Sequence, residues 1–513
     1  MQELKRGSPE SVGIPSDAIM RLLDELEYGG FTEMHGLMIY REDAVCAEGW
    51  WAPYAPGLRH GCQSLSKTYT ATAIGLLDFE GKLSLTEHIA DLFKAKLPAR
   101  VTPYLREMTV RDVLMMGCGM RKVPEPGPRW IEDFLATPVE TQPGTEWFYN
   151  TTGTTLLAAI VRERTGLQML DYLNVRLFPA LGIRRENLRM FKMQDGTEVG
   201  GAGLFATTED NLRLMKLYLD GGVCNGVRYL SEAFVSEATS PLLDTAPAHI
   251  QQPWIHDNLR GYGYQIWRGD ALGSYRADGA MGQFSVVYPQ QRMIVSVTET
   301  ADLPADPSVT HGPQKTLNAL NRILLPALSP QPLAPDVRAW KRLRDRLSHL
   351  SVEAPPFTLR TAGDGFVQDG MYVFETHTIT LLPDMKEIFS GTRLSRGAEG
   401  FAMRFTSREC LLHWRENGMA MTLHAAMDGS YAHNRCEIGQ WPLDELCLSG
   451  AWTQERVFTL TVRWIETCYT QRMTFAFDPD YRRCTVAARR LKGFFGPCTE
   501  SEAQASLPTE EGD

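Results

Sequence analysis

In residues 16–30, "SDAIMRLLDELEYGG", apolar positions recur at helical spacing, with Ile19, Leu22, Leu23 and Leu26 on one stripe. Ser16 is placed to cap that helix and Gly29–Gly30 to end it. Two strand-like runs follow, "HGLMIYR" (35–41) and "AVCAEGWW" (44–51), with a tight turn between them. The stretch "KTYTATAIGLLDFEGKL" (67–83) predicts a second helix, apolar at Ala71, Ile74 and Leu77 and stopped by Gly81. From about residue 85 to 240 the spacing stays mostly helical, broken by loops at "PEPGPR" and "TQPGTE". Strand patterns return in "QFSVVYP" and "RMIVSVTET", joined by "QQ", and the helix "QKTLNALNRILLPAL" follows. The order predicts an α/β (α+β) unit: an antiparallel sheet made from both ends of the unit, with a helical region inserted between.

The pattern changes at "SPQPLAPD", residues 329–336, where three prolines in eight positions mark a linker. Beyond it lie short strand-like runs, "HTITLLP", "MAMTLHAAMDG", "FTLTVRWIET", "QRMTFAFD" and "CTVAARRL". Phe458, Leu460, Val462 and Trp464 alternate with Thr459, Thr461 and Arg463, the mark of a half-buried antiparallel strand. The predicted organisation is a first domain at 1–328, the linker at 329–336, an all-β barrel or sandwich at 337–499, and a tail at 500–513. That tail holds five acids and no base, a composition that favours disorder.

Composition narrows the function classes. A chain of 513 residues exceeds one ordinary compact domain, and 43% hydrophobic with 22% charged residues is globular usage. A net charge of -10 without long basic runs argues against nucleic acid as a partner. Apolar stretches such as "LLAAIV" (156–161) are too short to span a bilayer, and "MQELKRGSPE" has no signal-like apolar region. A cytoplasmic protein is the expectation. The ten cysteines show no C-x-x-C spacing and no histidine cluster, so no metal site and no cofactor is expected. Cys62, two residues before Ser64, reads as a structural thiol.

Candidate chemistry sits in three places. Ser64 and Lys67 in "SLSK" are three residues apart at the start of an apolar helix, hence on one face. A lysine can activate a serine hydroxyl when desolvation lowers its pKa, and "ATAIGLL" supplies an apolar setting. The same pair also reads as a polar helix start with a solvated lysine. Tyr149 lies between a Pro-Gly turn and a Leu/Ala-rich helix, either as a reactive hydroxyl or as an aromatic core plug. In "YRADGAMGQFSVVYP" a Gly-rich bend enters a strand, where glycine lets backbone approach a ligand, or simply makes a turn.

Together and in this order, the three stretches resemble one family, the serine-reactive penicillin-recognising hydrolases: class C β-lactamases, DD-peptidases and related esterases and D-amino-acid amidases. The resemblance covers about residues 8–328, with "SLSK" as S-x-x-K, "YNT" at the Y-x-N position and "ADG" at the K-T-G or H-x-G position. Supporting stretches are "GLLDFEGKLSLTEHIADLF", "VRDVLMMGCGM", "LFPALGI" and "GGAGLFATTEDNLRLMKLYLDGG". It implies a β-lactamase/transpeptidase-like fold and a serine hydrolase that forms an acyl-enzyme on a small ester or amide. It also implies Ser64 as nucleophile, Lys67 as general base and Tyr149 in proton transfer. The oxyanion hole would be the backbone N–H groups of Ser64 and Ala280. Thr151, Asn150, Ala277, Asp278 and Gly279 would border the substrate.

Two departures bear on substrate choice. Thr151 stands at the asparagine of Y-x-N, with Asn150 one place earlier, and Ala277 stands where relatives carry Lys or His. The cation that meets a substrate carboxylate is therefore missing, and Asp278 would repel a carboxylate if it faces the cleft. Arg276 is expected on the face opposite Ala277. An esterase-, amidase- or D-aminopeptidase-like enzyme, weak at best on β-lactams, is the resulting expectation. The altered motifs keep open a non-catalytic ligand- or partner-binding protein on the same fold. The oligomeric state stays open.

Overall fold

The computed structural model describes residues 3–124, 127–249, 253–301, 312–356, 367, 370–382, 395–437, 443–492 and 500–508. The chain divides into two compact units, 1–350 and 351–513.

The first unit is built on a six-stranded antiparallel sheet. Its order is Ala44–Trp50, Thr32–Arg41, Met293–Ala301, Gln283–Tyr288, Tyr275–Gly279, Trp267–Arg268. Two strands precede the helical region, as the patterns predict, and four follow it, where the patterns marked only Gln283–Tyr288 and Met293–Ala301. Glu42 (φ 46°) and Asp43 (φ 67°) make the hairpin turn between the first two strands, the left-handed pair that matches strand twist. In the helix Ser16–Tyr28 the stripe Ile19, Leu22, Leu23, Leu26 is wholly buried. Ser16 is its first helical residue rather than its cap; the Glu10 carboxylate accepts the Ser16 N–H at 2.8 Å and takes that role.

The helix Ser66–Phe79 is buried on every side from Ser66 to Leu77, which makes it the centre of the unit. Its polar side chains are satisfied in place. Thr68 donates to the Gln265 carbonyl (3.0 Å), Thr70 to the Gly200 carbonyl (2.8 Å) and Tyr69 to Asn211 Oδ1 (3.0 Å). Gly75 is required there, because a Cβ would stand 2.5 Å from the Phe234 ring.

The proline-rich segment does not separate the units. Ser329 N–H donates to the Gly13 carbonyl and Leu333 N–H to that of Glu10, both at 2.8 Å, while Arg41 reaches the Ser329 carbonyl at 2.8 Å. The helix Val337–Ser348, expected in the all-β domain, belongs to the first unit. It buries Ala339 and Leu343 and pairs Arg342 with Asp17 (3.1 Å) and Arg346 with Asp24 (3.7 Å). The division therefore falls after Leu350 rather than at 329–336.

The second unit, among the described residues, is all β. Ten strands run in the order Met419–Ala426, Glu409–Glu416, Ala398–Phe405, Tyr372–Phe374, Glu500–Ser506, Arg483–Lys492, Tyr469–Phe477, Val457–Trp464, Glu445–Gln454, Ala432–Arg435. A parallel bridge, Ala426 to Ser449, joins the first of these to the ninth and closes a barrel. Phe401, Trp414, Phe458 and Phe475 fill its interior, each wholly buried. Glu500–Ser506, expected in a disordered tail, is a strand whose Ala503 and Ala505 turn inward while Glu502 and Gln504 face out. Residues 509–513 lie outside the described residues. "HTITLLP" forms no strand up to Leu382, because side chains take its backbone: Trp464 donates to the Leu381 carbonyl (3.0 Å) and Gln471 to that of Thr380 (2.8 Å). On Val457–Trp464 both faces are buried, Thr459, Thr461 and Arg463 included, and Arg463 donates to the Tyr431 hydroxyl at 2.9 Å. No helix among the described residues is long and apolar enough to cross a membrane.

Candidate active site

Ser64 sits where a short strand turns into the central helix. His60–Gly61 pairs with Leu204–Ala206, and a single 3-10 turn, Gln63–Leu65, leads into the helix at Ser66. Gln63 is buried and left-handed (φ 50°), a conformation a side chain resists. Between His60 and Leu77, Ser64 is the one residue that is not buried. The hydroxyl is thus presented at the mouth of a closed helix start. Cys62 is buried with its thiol pushed up to about 12 by desolvation, in keeping with a structural role. The His60 ring turns to His35, at 2.9 Å.

Lys67, only 1% exposed, lies behind that serine. Its Nζ donates to Ser64 Oγ (3.0 Å), Thr151 Oγ1 (3.3 Å) and the Gly201 carbonyl (2.5 Å). All three partners are neutral. Burial lowers the ammonium to about 7, with Asp278 pulling the other way. The same Nζ stands 4.7 Å from the centre of the Tyr149 ring. Tyr149 stacks on Trp267 with centroids 6.1 Å apart. Desolvation holds its hydroxyl above the ordinary range; a hydrogen bond with Ser64 lowers it and the Asp278 charge raises it.

The third motif is the strand Tyr275–Gly279. A Cβ at Gly279 would stand 2.1 Å from the Cys62 carbonyl oxygen, so the strand end lies against the backbone two residues before Ser64. Ala280 follows in the turn that leaves the strand. Arg276 Nε donates to Asp278 Oδ2 at 2.7 Å, which puts both side chains on one face, and the Arg276 guanidinium lies 5.9 Å from the Trp267 ring. Ala277, alternating with them, is wholly buried on the other face.

Ser64, Lys67, Tyr149, Thr151, Asp278 and Gly279 therefore converge, and two expected residues do not. Asn150 is 0% exposed and its Oδ1 accepts the Gly153 N–H at 2.8 Å, so it caps the helix Thr151–Thr165 instead of bordering a substrate. Ala277 faces away, and Arg276, expected to turn from the cleft, shares the face of Asp278. Sequence reasoning missed Gly201, whose carbonyl holds Lys67, and Trp267, which backs Tyr149. For Gly201 a signal exists in "GGAG": a Cβ there would stand 2.5 Å from the Thr151 carbonyl oxygen.

Residues 31–317 match the family model described as Beta-lactamase, more than half of the chain. The chain belongs to the beta-lactamase family. Among its relatives is a 6-aminohexanoate-dimer hydrolase of Paenarthrobacter ureafaciens, 26% identical over 248 residues, 44% of this chain and 63% of that protein. Another is penicillin-binding protein 4 of Amycolatopsis lactamdurans, 28% identical over 262 residues, 43% of this chain and 66% of the relative. The match thus spans slightly less than two thirds of either relative's length. A solved structure from Bacillus anthracis, described as a 6-aminohexanoate-dimer hydrolase, aligns with a TM-score of 0.51 at 19% identity, covering 64% of this chain and 89% of its own. At that identity it shows the family's fold.

Proposed function

We propose that this protein is a serine hydrolase that forms an acyl-enzyme on Ser64 from an ester or amide substrate. One observation carries the reading: a buried lysine 3.0 Å from a partly exposed serine, its ammonium lowered to about 7. A lysine at 10.5 is a cation at neutral pH, whereas one near 7 is neutral in about half the molecules and can take the serine proton. Tyr149, raised rather than lowered, stays protonated. It is suited to pass a proton to the leaving group and to steer the water that releases the acyl group. The backbone N–H groups of Ser64 and Ala280 are the oxyanion donors in this reading, a contribution of about 3 kcal/mol for one such donor. The relatives' names, a dimer hydrolase and a penicillin-binding protein, support the same class.

Substrate charge follows from Asp278 rather than from Ala277. A carboxylate acting on Lys67 and Tyr149 disfavours an anionic substrate, so neutral or cationic esters and amides are the class. A fluorophosphonate should add once, at Ser64, in intact-mass and peptide mapping. Ser64→Ala should take no label and lose activity by several orders of magnitude. A label on a different serine would end the assignment. A short p-nitrophenyl ester should exceed a carboxylate-bearing cephalosporin in kcat/KM, and equal turnover would refute the charge argument.

A further inference from the structure

A largely buried ion pair stands at this site with no part in the proton transfers described so far. Arg276, 2% exposed at its side chain, holds Asp278, 20% exposed, at 2.7 Å. Arg276 is itself anchored by Asn258 Oδ1 (2.6 Å) and the Arg268 carbonyl (2.9 Å), with Asp257 at 3.7 Å. Next in the chain, Gly279 presses on the Cys62 carbonyl, so Asp278 is fixed beside the Ser64 turn. We propose that Asp278 is the counter-ion of the Lys67 ammonium, a positioning residue that stabilises the proton Lys67 takes from Ser64. The inference rests on the acyl-enzyme reading above.

In that step the Ser64 Oγ–carbonyl carbon bond forms and the carbonyl π pair moves to oxygen. The hydroxyl proton passes to Lys67 Nζ; as the oxygen pair returns to the carbonyl, the bond from carbon to the departing heteroatom breaks, Tyr149 gives that heteroatom a proton, and Lys67 returns its proton to Tyr149. Asp278 stays a carboxylate throughout. The new ammonium arises in a desolvated place where its hydrogen-bond partners, Ser64, Thr151 and the Gly201 carbonyl, are all neutral. Uncompensated, such a charge is expensive. The groups that face it are the Tyr149 ring, 4.7 Å away and just before the Thr151–Thr165 helix, and Asp278 from its strand, with Arg276, Asp257 and Tyr262 behind Asp278. Asp278 raises both Lys67 and Tyr149, so one charge favours the ammonium and disfavours a tyrosinate. That sign divides the labour: the lysine accepts the proton and the tyrosine donates one. Burial raises the Asp278 carboxyl above its ordinary value, while the Arg276 guanidinium and Lys67 pull it the other way, toward the carboxylate.

Asp278→Asn tests this, since the amide retains the shape and an acceptor for Arg276. With a p-nitrophenyl ester, the acid limb of kcat/KM against pH should move to lower pH by about one unit, and plateau kcat should fall about tenfold. KM should change little. Asp278→Glu should return the limb toward the parent position. Should Asp278→Asn fail to fold, Asp278→Ser carries the same expectation. A lower kcat with the acid limb unmoved would show a merely structural residue and overturn the proposal. Phosphonate labelling of the parent protein separates the two readings. A Ser64 adduct with an unmoved limb refutes only the counter-ion, whereas no adduct removes the hydrolase reading beneath it.

Discussion

Lys67→Met should abolish turnover and, near neutral pH, make the fold more stable. In the unfolded chain the ammonium titrates at its ordinary 10.5; in the folded protein burial brings it to about 7. Between those two values the unfolded state binds the extra proton, so the parent's stability rises with pH across that window and carries the full cost below about 7. At 1.36 kcal/mol per pH unit, moving the group from 10.5 to about 7 costs on the order of 5 kcal/mol. Methionine keeps most of the volume and removes that cost. Against it stands the buried Gly201 carbonyl, which loses its donor at roughly 1–3 kcal/mol. The variant should therefore gain about 2–4 kcal/mol at pH 6. Its advantage should shrink by roughly 3 kcal/mol by pH 9.5, where about 1.4 kcal/mol of the penalty remains.

Urea unfolding followed at 222 nm reads this in the right place, because the helices among the described residues belong to the first unit. The diagnostic is the slope and not the offset: the stability difference between parent and variant must fall as pH rises from 6 to 9.5. A difference that is constant with pH would mean that Lys67 keeps an ordinary pKa. The base assignment would then fail with it.

Two further substitutions probe the same cluster. Gly279→Ala puts a methyl carbon 2.1 Å from the Cys62 carbonyl oxygen; the strand must retreat from the Ser64 turn, and ester hydrolysis should drop by about 10²-fold or more. Steady-state kinetics within a few-fold of the parent would show that this contact does not set the site. Tyr149→Phe keeps the stack on Trp267 and should cost roughly 10²-fold in kcat without lowering the urea midpoint. An unchanged rate would leave Tyr149 as packing alone.

The sheet and its inserted helices were legible because both depend on local periodicity, and periodicity is written in consecutive residues. What escaped depends on bonds between distant residues. Three prolines in 329–336 read as a linker, yet Arg41 holds the Ser329 carbonyl from 288 positions away. Five acids outweigh the alternation of Ala503 and Ala505 in the tail, although the alternation is what pairs. Asn150 and Thr151 are adjacent in a motif where either can serve; only the helix start decides that one caps and the other meets Lys67. Ala277 and Asp278 show the same limit on a strand. Alternation says they face opposite ways, but which way is inward is set by Arg276, Trp267 and Tyr149 packed together.

Three features that local rules disfavour lie around Ser64. Gln63 is left-handed without being glycine, Lys67 is buried against neutral partners, and the Gly279 backbone is pressed onto a carbonyl. The first two cost stability, the third admits only glycine, and each is within a few residues or one contact of Ser64. A leucine or methionine at position 67 would fill the space and stabilise the helix. The cost is intelligible if position 67 must release and accept a proton near neutral pH, as the proposed step on Ser64 requires. On that ground the pH dependence of stability in Lys67→Met also separates catalysis from mere binding: the larger the penalty the lysine carries, the less the non-catalytic reading explains its presence.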